Sequence, residues 1–124
     1  MILADTSIWI DHLRKGDGGL SSLLEATMVL IHPFVVGEMA CGNLHNQAEV
    51  LKLLGDLPGV RTASDSEVMY FIESHRLMGR GIGLIDAHLL AAVSLTPPAC
   101  LWTRDKRLAR IASDLDLAYQ FGRS

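Results

Sequence analysis

Short apolar runs alternate with segments of helical periodicity along nearly the whole chain, and few architectures accept that order. Ile2 to Ala4, Met28 to Ile31, Val60 to Ala63, Ala99 to Thr103 and Leu117 to Tyr119 have the length and composition of short buried strands. The segment Thr6-Ser-Ile-Trp-Ile-Asp-His-Leu pairs Ile8 with His12 and Trp9 with Leu13 at helical spacing, and Gly16, Gly18 and Gly19 break it. Ser21 to Ala26 reads as a short helix. Pro33 suits the first turn of another, which Gly42 ends. Two capping-box spacings follow, Asn46 with Glu49 and Ser64 with Glu67. The first precedes Val50, Leu53, Leu54 and Leu57 at helical intervals, and the second opens a helix to about Met78. Gly79-Arg-Gly-Ile-Gly is a joint into the apolar helix that starts at Asp86 and stops before Pro97-Pro98. Lys106 to Ser113 closes the series, with Leu108, Ile111, Ala112 and Leu115 inward. Strands interleaved with helices predict a parallel sheet covered on both faces. A chain of 124 residues makes one such domain, spanning 1–124, and buries roughly two-thirds of its unfolded surface.

Four acids fall where a lone carboxylate is out of place. Asp5 follows the first apolar run and Asp105 follows Ala99-Cys-Leu-Trp-Thr. Glu38 shares a helical face with Phe34 and Cys41, and Asp86 lies on the stripe of Leu89, Leu90 and Val93. An unpaired buried carboxylate costs several kcal/mol, so such acids are protonated, paired or metal-bound. In open parallel sheets, ligands bind beyond the carboxyl ends of the strands near a switch in strand order. Asp5 and Asp105 fall at such ends, and Glu38 and Asp86 sit on helices that can lean over the same edge.

Each acid has a plainer explanation. Aspartate at a helix N-cap is worth about 1 kcal/mol, which accounts for Asp5, Asp86 or Asp105 taken singly. Glu38 has a salt bridge or an exposed edge position as its alternative. Capping alone does not predict acids at two strand ends and on two helices together. His12, His32, His45, His75 and His88 show no shared ligand spacing, Asp11 reads as a solvated surface acid, and the glycines at 79, 81 and 83 lack the strand before and the Lys-Ser/Thr ending of a phosphate loop.

Composition excludes several classes. The chain is 49% hydrophobic and 6% aromatic, which describes an aliphatic core and not a disordered or fibrous segment. A net charge of −3 and a pI near 5.9 give no bulk attraction to nucleic acid, so a polyanion would be held by local groups such as Arg104, Lys106, Arg107 and Arg110 and by a metal. Cys41 and Cys100 sit in apolar runs without metal-ligand spacing and read as buried reduced thiols. The charge at position 5 interrupts any N-terminal apolar stretch, and the apolar segment around Leu89 to Leu95 is far below the roughly 20 residues that span a bilayer. The expectation is a soluble cytoplasmic protein.

Four segments together resemble a known family. Asp5-Thr-Ser-Ile-Trp-Ile-Asp-His-Leu-Arg, Glu38 in mid-helix, Gly83-Leu-Ile-Asp-Ala-His-Leu-Leu-Ala-Ala and Leu101-Trp-Thr-Arg-Asp-Lys-Arg-Leu look like the motif set of PIN domains. More narrowly, they resemble the VapC-type toxins of bacterial type II toxin–antitoxin operons. The resemblance runs through essentially the whole chain. It implies a PIN-like three-layer α/β/α sandwich and a metal-dependent endoribonuclease. It further implies that Asp5 and Asp86 are the principal Mg²⁺ or Mn²⁺ ligands, with Glu38 and Asp105 completing the acidic pocket. Ser7 and Thr103 would support the carboxylates by hydrogen bonds. Partners implied are RNA, a cognate VapB-type antitoxin whose C-terminal segment blocks the pocket, and a second copy of the chain. Promoter DNA would be bound only through the antitoxin. Two other readings stand beside this one: a receiver-like phosphoacceptor domain and a PIN fold kept as a non-catalytic binding module. The first wants a second acid beside Asp5 and a late lysine, and Asp5 has no acidic neighbour.

Overall fold

The structure is a computed structural model that describes residues 1–16 and 18–120. Among the described residues three strands, β1 (Ile2–Ala4), β2 (Val29–Leu30) and β3 (Cys100–Trp102), form an all-parallel sheet in the order β2-β1-β3. Leu3 stands between Leu30 and Leu101, which sets the register on both sides. Single parallel bridges widen the sheet, Ile31 with Gly59 beyond β2 and Leu101 with Ala118 beyond β3. Val60 to Ala63 and Leu117 to Tyr119 therefore do not form the full strands their composition predicts. Each contributes a two-bond hook: Ile31 N–H reaches the Pro58 carbonyl while Val60 N–H reaches Ile31, and Tyr119 and Leu117 bracket Leu101 in the same way.

Seven helices among the described residues connect these strands. They are α1 (Thr6–Lys15), α2 (Gly18–Glu25), α3 (Pro33–Cys41), α4 (Gln47–Gly55), α5 (Asp65–Ser74), α6 (Leu84–Ser94) and α7 (Lys106–Asp114). From β1 the chain winds to one side through β2 to the hook at Gly59, then crosses back to β3 and the hook at Ala118. Right-handed crossovers place the helices before Gly59 on one face and those after it on the other. The packing agrees: α1 lies against α2 and α3, and α3 against α4, while α5 packs on α6, and α6 and α7 pack on β3. The result is the predicted three-layer α/β/α sandwich. Its topological switch lies between β1 and β3.

The core explains the most apolar helix. Ala87 through Val93 are buried without interruption, because α6 is covered by the sheet on one side and by α5 on the other. Leu3, Leu54, Leu90, Val93 and Leu108 are fully enclosed, each leucine worth roughly 1.5–3 kcal/mol of burial. This anchoring fixes where the N-terminus of α6, and with it Asp86, meets the sheet edge.

Local expectations fare unevenly. Pro33 occupies the first turn of α3 and Gly42 caps its end. Ser64 and Glu67 form the capping box of α5, with Ser64 Oγ accepting Glu67 N–H at 3.2 Å and Glu67 Oε1 accepting Ser64 N–H at 2.9 Å. Asn46 and Glu49 form none, because Asn46 is left-handed at φ 56° and Gln47 instead ties the loop to the Leu44 N–H and the Ala40 carbonyl. The α5 helix stops at Ser74, since Arg76 turns left-handed at φ 54°. Of the early glycines only Gly16 breaks a helix, at φ 64°; Gly18 and Gly19 begin α2. The cysteines are free, but Cys41 is exposed and Cys100 partly so, because the face of α3 that carries Cys41 has no cover. Among the described residues, no helix is long and apolar enough to cross a membrane.

Candidate active site

The carboxyl ends of β1 and β3 are joined through Asp5. Its backbone N–H donates to the Trp102 carbonyl at 3.0 Å, which holds the turn after β1 against the end of β3. Its side chain caps α1, with Oδ1 accepting the Ile8 N–H at 3.3 Å. Ser7 Oγ also donates to Oδ1, and Thr103 Oγ1 donates to Oδ2. The same two hydroxyls accept from the turn after β3, Ser7 from Arg104 N–H and Thr103 from Asp105 N–H, both at 3.0 Å. Two hydroxyls thus orient a 7%-exposed carboxylate and lock two loops together.

The other acids arrive from three helices. Asp105 is the N-cap of α7, and its Oδ1 accepts Arg107 N–H at 2.9 Å and Leu108 N–H at 3.1 Å. Asp86 does not open its helix as its position before the apolar run predicts. It is the third residue of α6, and Oδ2 reaches back to the Gly83 N–H at 3.4 Å. Glu38 lies on the outer side of α3, exposed, and accepts the Thr6 hydroxyl at 2.7 Å. Its companions Phe34 and Cys41 are exposed as well, so that face borders solvent. The sequence alone left Thr6 unnoticed, although it is the residue after Asp5 and the first of α1.

Capping therefore explains part of each aspartate but not their convergence. Burial raises the Asp86 carboxyl above its ordinary value; the Gly83 N–H opposes this, and the charges of Asp105, Asp5 and Glu38 push it up further. One acid senses the other three across a shared edge. Asp5 is also raised, by burial above all, even though Ser7, Thr103 and backbone N–H groups favour its charged form.

An all-oxygen set of carboxylates and hydroxyls suits a hard divalent cation. Among the described residues no group of three or more His, Cys, Asp or Glu side chains is placed to hold a metal ion. Mg²⁺ does not need such a group, since it keeps several waters and is held by one or two carboxylates. The histidines offer no rival. His32 and His88 meet at 6.4 Å between ring centres, but His32 is sealed in the core with Nδ1 accepting the Phe34 N–H. Burial, with His88 adding to it, lowers His32 to about 4.

Around the acids, the cations divide. Arg104 is tied to Asp11, Nε to Oδ2 at 3.1 Å, and its guanidinium carbon stands 5.6 Å from the centre of the Trp102 ring. Asp11 is thus a half-buried partner, where its helical position suggests a solvated acid. Arg80 bridges to Asp114 at 2.8 Å. Beside Glu38, an open groove of about 410 Å³ is lined by Phe34, Gly37, Cys41 and Ile85.

No protein-family model matches the chain. Two curated proteins do match, both called Ribonuclease VapC32, from Mycobacterium tuberculosis strains CDC 1551 / Oshkosh and ATCC 25618 / H37Rv. Each is 42% identical over 118 residues, which is 95% of this chain and 95% of the relative.

Proposed function

The chain belongs to the VapC family of PIN-domain ribonuclease toxins, and on that premise we propose that it cuts RNA with a divalent cation held at the four-acid edge. Asp5 and Asp86 are the principal ligands in this reading, with Glu38 and Asp105 completing the charge. The observation that carries it is the electrostatics of Asp86, a half-buried carboxyl raised by burial and by all three other acids. Such a cluster gains most when a dication enters, and Mg²⁺ or Mn²⁺ fits its oxygen donors.

When bound, the cation supplies a water of lowered pKa and neutralises charge developing on the attacked phosphate. The chain's own residues prepare the site. Ser7 and Thr103 fix both oxygens of Asp5, so the carboxylate is already oriented before a ligand arrives. Thr6 holds Glu38 toward the same edge. Asp105 spends one oxygen on the α7 N-terminus, leaving Oδ2 for a water or an ion. Without the cation, these acids repel an RNA backbone, so binding and cleavage depend on the cation together.

A ribonuclease toxin needs restraint, and we assign that to a cognate VapB-type antitoxin. The groove of Phe34, Gly37, Cys41 and Ile85 beside Glu38 is an apolar seat for such a segment. A homodimer acting in the cytoplasm, bound to promoter DNA through the antitoxin alone, completes the reading.

Incubating the purified protein with structured RNA and Mn²⁺, with and without chelator, tests it. Cleavage should need the cation and vanish in Asp86→Asn. Cleavage that survives the chelator or the substitution would overturn the metal assignment. A stable acyl-phosphate formed from a small phosphodonor would favour the receiver-like alternative.

A further inference from the structure

Four cations lie on or just before α7, but only one has both a fixed seat and a free head. Arg104 is taken up by Asp11 and Trp102. Lys106, Arg107 and Arg110 are all exposed on the helix surface. Arg107 is held differently: its side chain lies across Gly81 in the joint before α6. A Cβ built on Gly81 would fall 2.6 Å from Arg107 Cδ, 3.0 Å from Nη1 and 3.1 Å from Nε. Gly81 also has φ +85°, which L side chains rarely adopt. The seat therefore exists only because position 81 is glycine.

This seat is mounted between two of the acids. Arg107's own N–H bonds to Asp105, while Gly83, two residues past Gly81, bonds to Asp86. Yet among the described residues the Arg107 side chain makes no ion pair or hydrogen bond. A guanidinium laid against a glycine, with no ion pair or hydrogen bond of its own, keeps donors for an outside partner, and its planar fork matches phosphate oxygens. Resting on the ribonuclease reading, we propose that Arg107 is the phosphate-gripping residue of the acidic edge. It binds an RNA phosphate next to the one attacked, and Gly81 presents its guanidinium for that purpose. Arg104 and Arg80 serve as clamps of the fold.

A fluorophore-labelled RNA hairpin that the wild-type protein cuts with Mn²⁺ provides the test. Arg107→Ala should raise KM about 10-fold, as expected for loss of one charge-assisted contact, while kcat stays within about twofold. With Ca²⁺ in place of Mn²⁺, the slope of log affinity against log salt should become shallower by about 0.7, one phosphate's share for a single strand. Arg107→Lys should restore the slope and only part of the affinity. In the Arg107→Ala background, Gly81→Ala should raise KM less than it does in the wild-type background, because only the backbone strain at φ +85° is left to act. Wild-type KM and salt slope in Arg107→Ala would overturn the proposal, and a lowered melting temperature beside them would assign Arg107 to the fold. Wild-type protein that cuts no RNA would instead sink the ribonuclease reading beneath it.

Discussion

Thr103 Oγ1 donates to Asp5 Oδ2 across 98 positions of sequence and itself accepts the Asp105 N–H. One threonine thus couples the carboxylate after β1 to the acid after β3. In Thr103→Val, a near-isosteric change, Asp5 loses a donor and the Asp105 N–H loses its acceptor. The expected result is a fall of roughly 10–100-fold in metal affinity or activity, the usual cost of removing a ligand's supporting hydrogen bond. Because that bond lowers the Asp5 carboxyl, the acid limb of the activity profile should also move to higher pH. Steady-state kcat/KM against pH, at several Mn²⁺ concentrations, measures both.

Replacing the acids themselves separates chemistry from folding. Asp5→Asn keeps an N-cap acceptor for α1 and Asp86→Asn keeps its volume, so both should fold. Cleavage should drop by on the order of 100-fold or more in each, and growth inhibition on expression should disappear. Asp5→Ala should lose the same activity and a further ~1 kcal/mol of stability, because the cap goes with the charge. Cleavage assays beside thermal melts distinguish the two effects; a fully toxic Asp5 or Asp86 variant would show the site to lie elsewhere.

Asp5 and Asp86 also set a pH signature. Both carboxyls are raised above the ordinary 3.8, so the folded protein binds these protons more tightly than the unfolded chain does. Their stabilising contribution is full below pH 3.8 and is lost as pH rises through the raised folded values. In the metal-free protein, ionising these two groups therefore opposes folding. Mn²⁺ should raise the melting temperature strongly at pH 7 and progressively less toward pH 4.5, as protons displace it. Asp5→Asn should flatten that difference. Melting curves across pH, with and without Mn²⁺, read it directly.

Ser64 offers a control away from the acids. Its capping box stabilises α5, which packs on α6. Ser64→Ala should cost about 1 kcal/mol, or roughly 4 °C of melting temperature for a domain of this size. Mn²⁺-dependent cleavage at 25 °C should be unchanged. A large loss of activity there would mean that α6, and Asp86 with it, is less firmly anchored than its burial indicates.

Much of this is legible in the sequence. The strand–helix alternation predicted the parallel sheet, since short apolar runs that cannot pair locally must pair through crossovers. Ser64 with Glu67 identified a capping box because both partners lie within one turn. The equivalent spacing at Asn46 and Glu49 misled: the pattern specifies which residues could bond, while Gln47's contact with Ala40 decided which did. Cys41 misled in the same way, because an apolar neighbourhood in sequence does not guarantee a covering layer in space. Asp11 could not be paired with Arg104 from sequence, because that contact depends on how β3 sits beside β1.

By itself the sequence determined the alternation of strands and helices, the caps at Asp5 and Asp105, and the four acids as candidates for one site. Those are local matters of periodicity, hydrogen-bonding range and desolvation cost. Only the tertiary structure decided that Asp5, Glu38, Asp86 and Asp105 share one edge, that Ser7 and Thr103 orient the first of them, and that Arg107 rests on Gly81. Each depends on the switch in strand order, which brings the ends of β1 and β3 side by side. Coulomb energy depends on separation in space, which the order of residues along the chain does not contain.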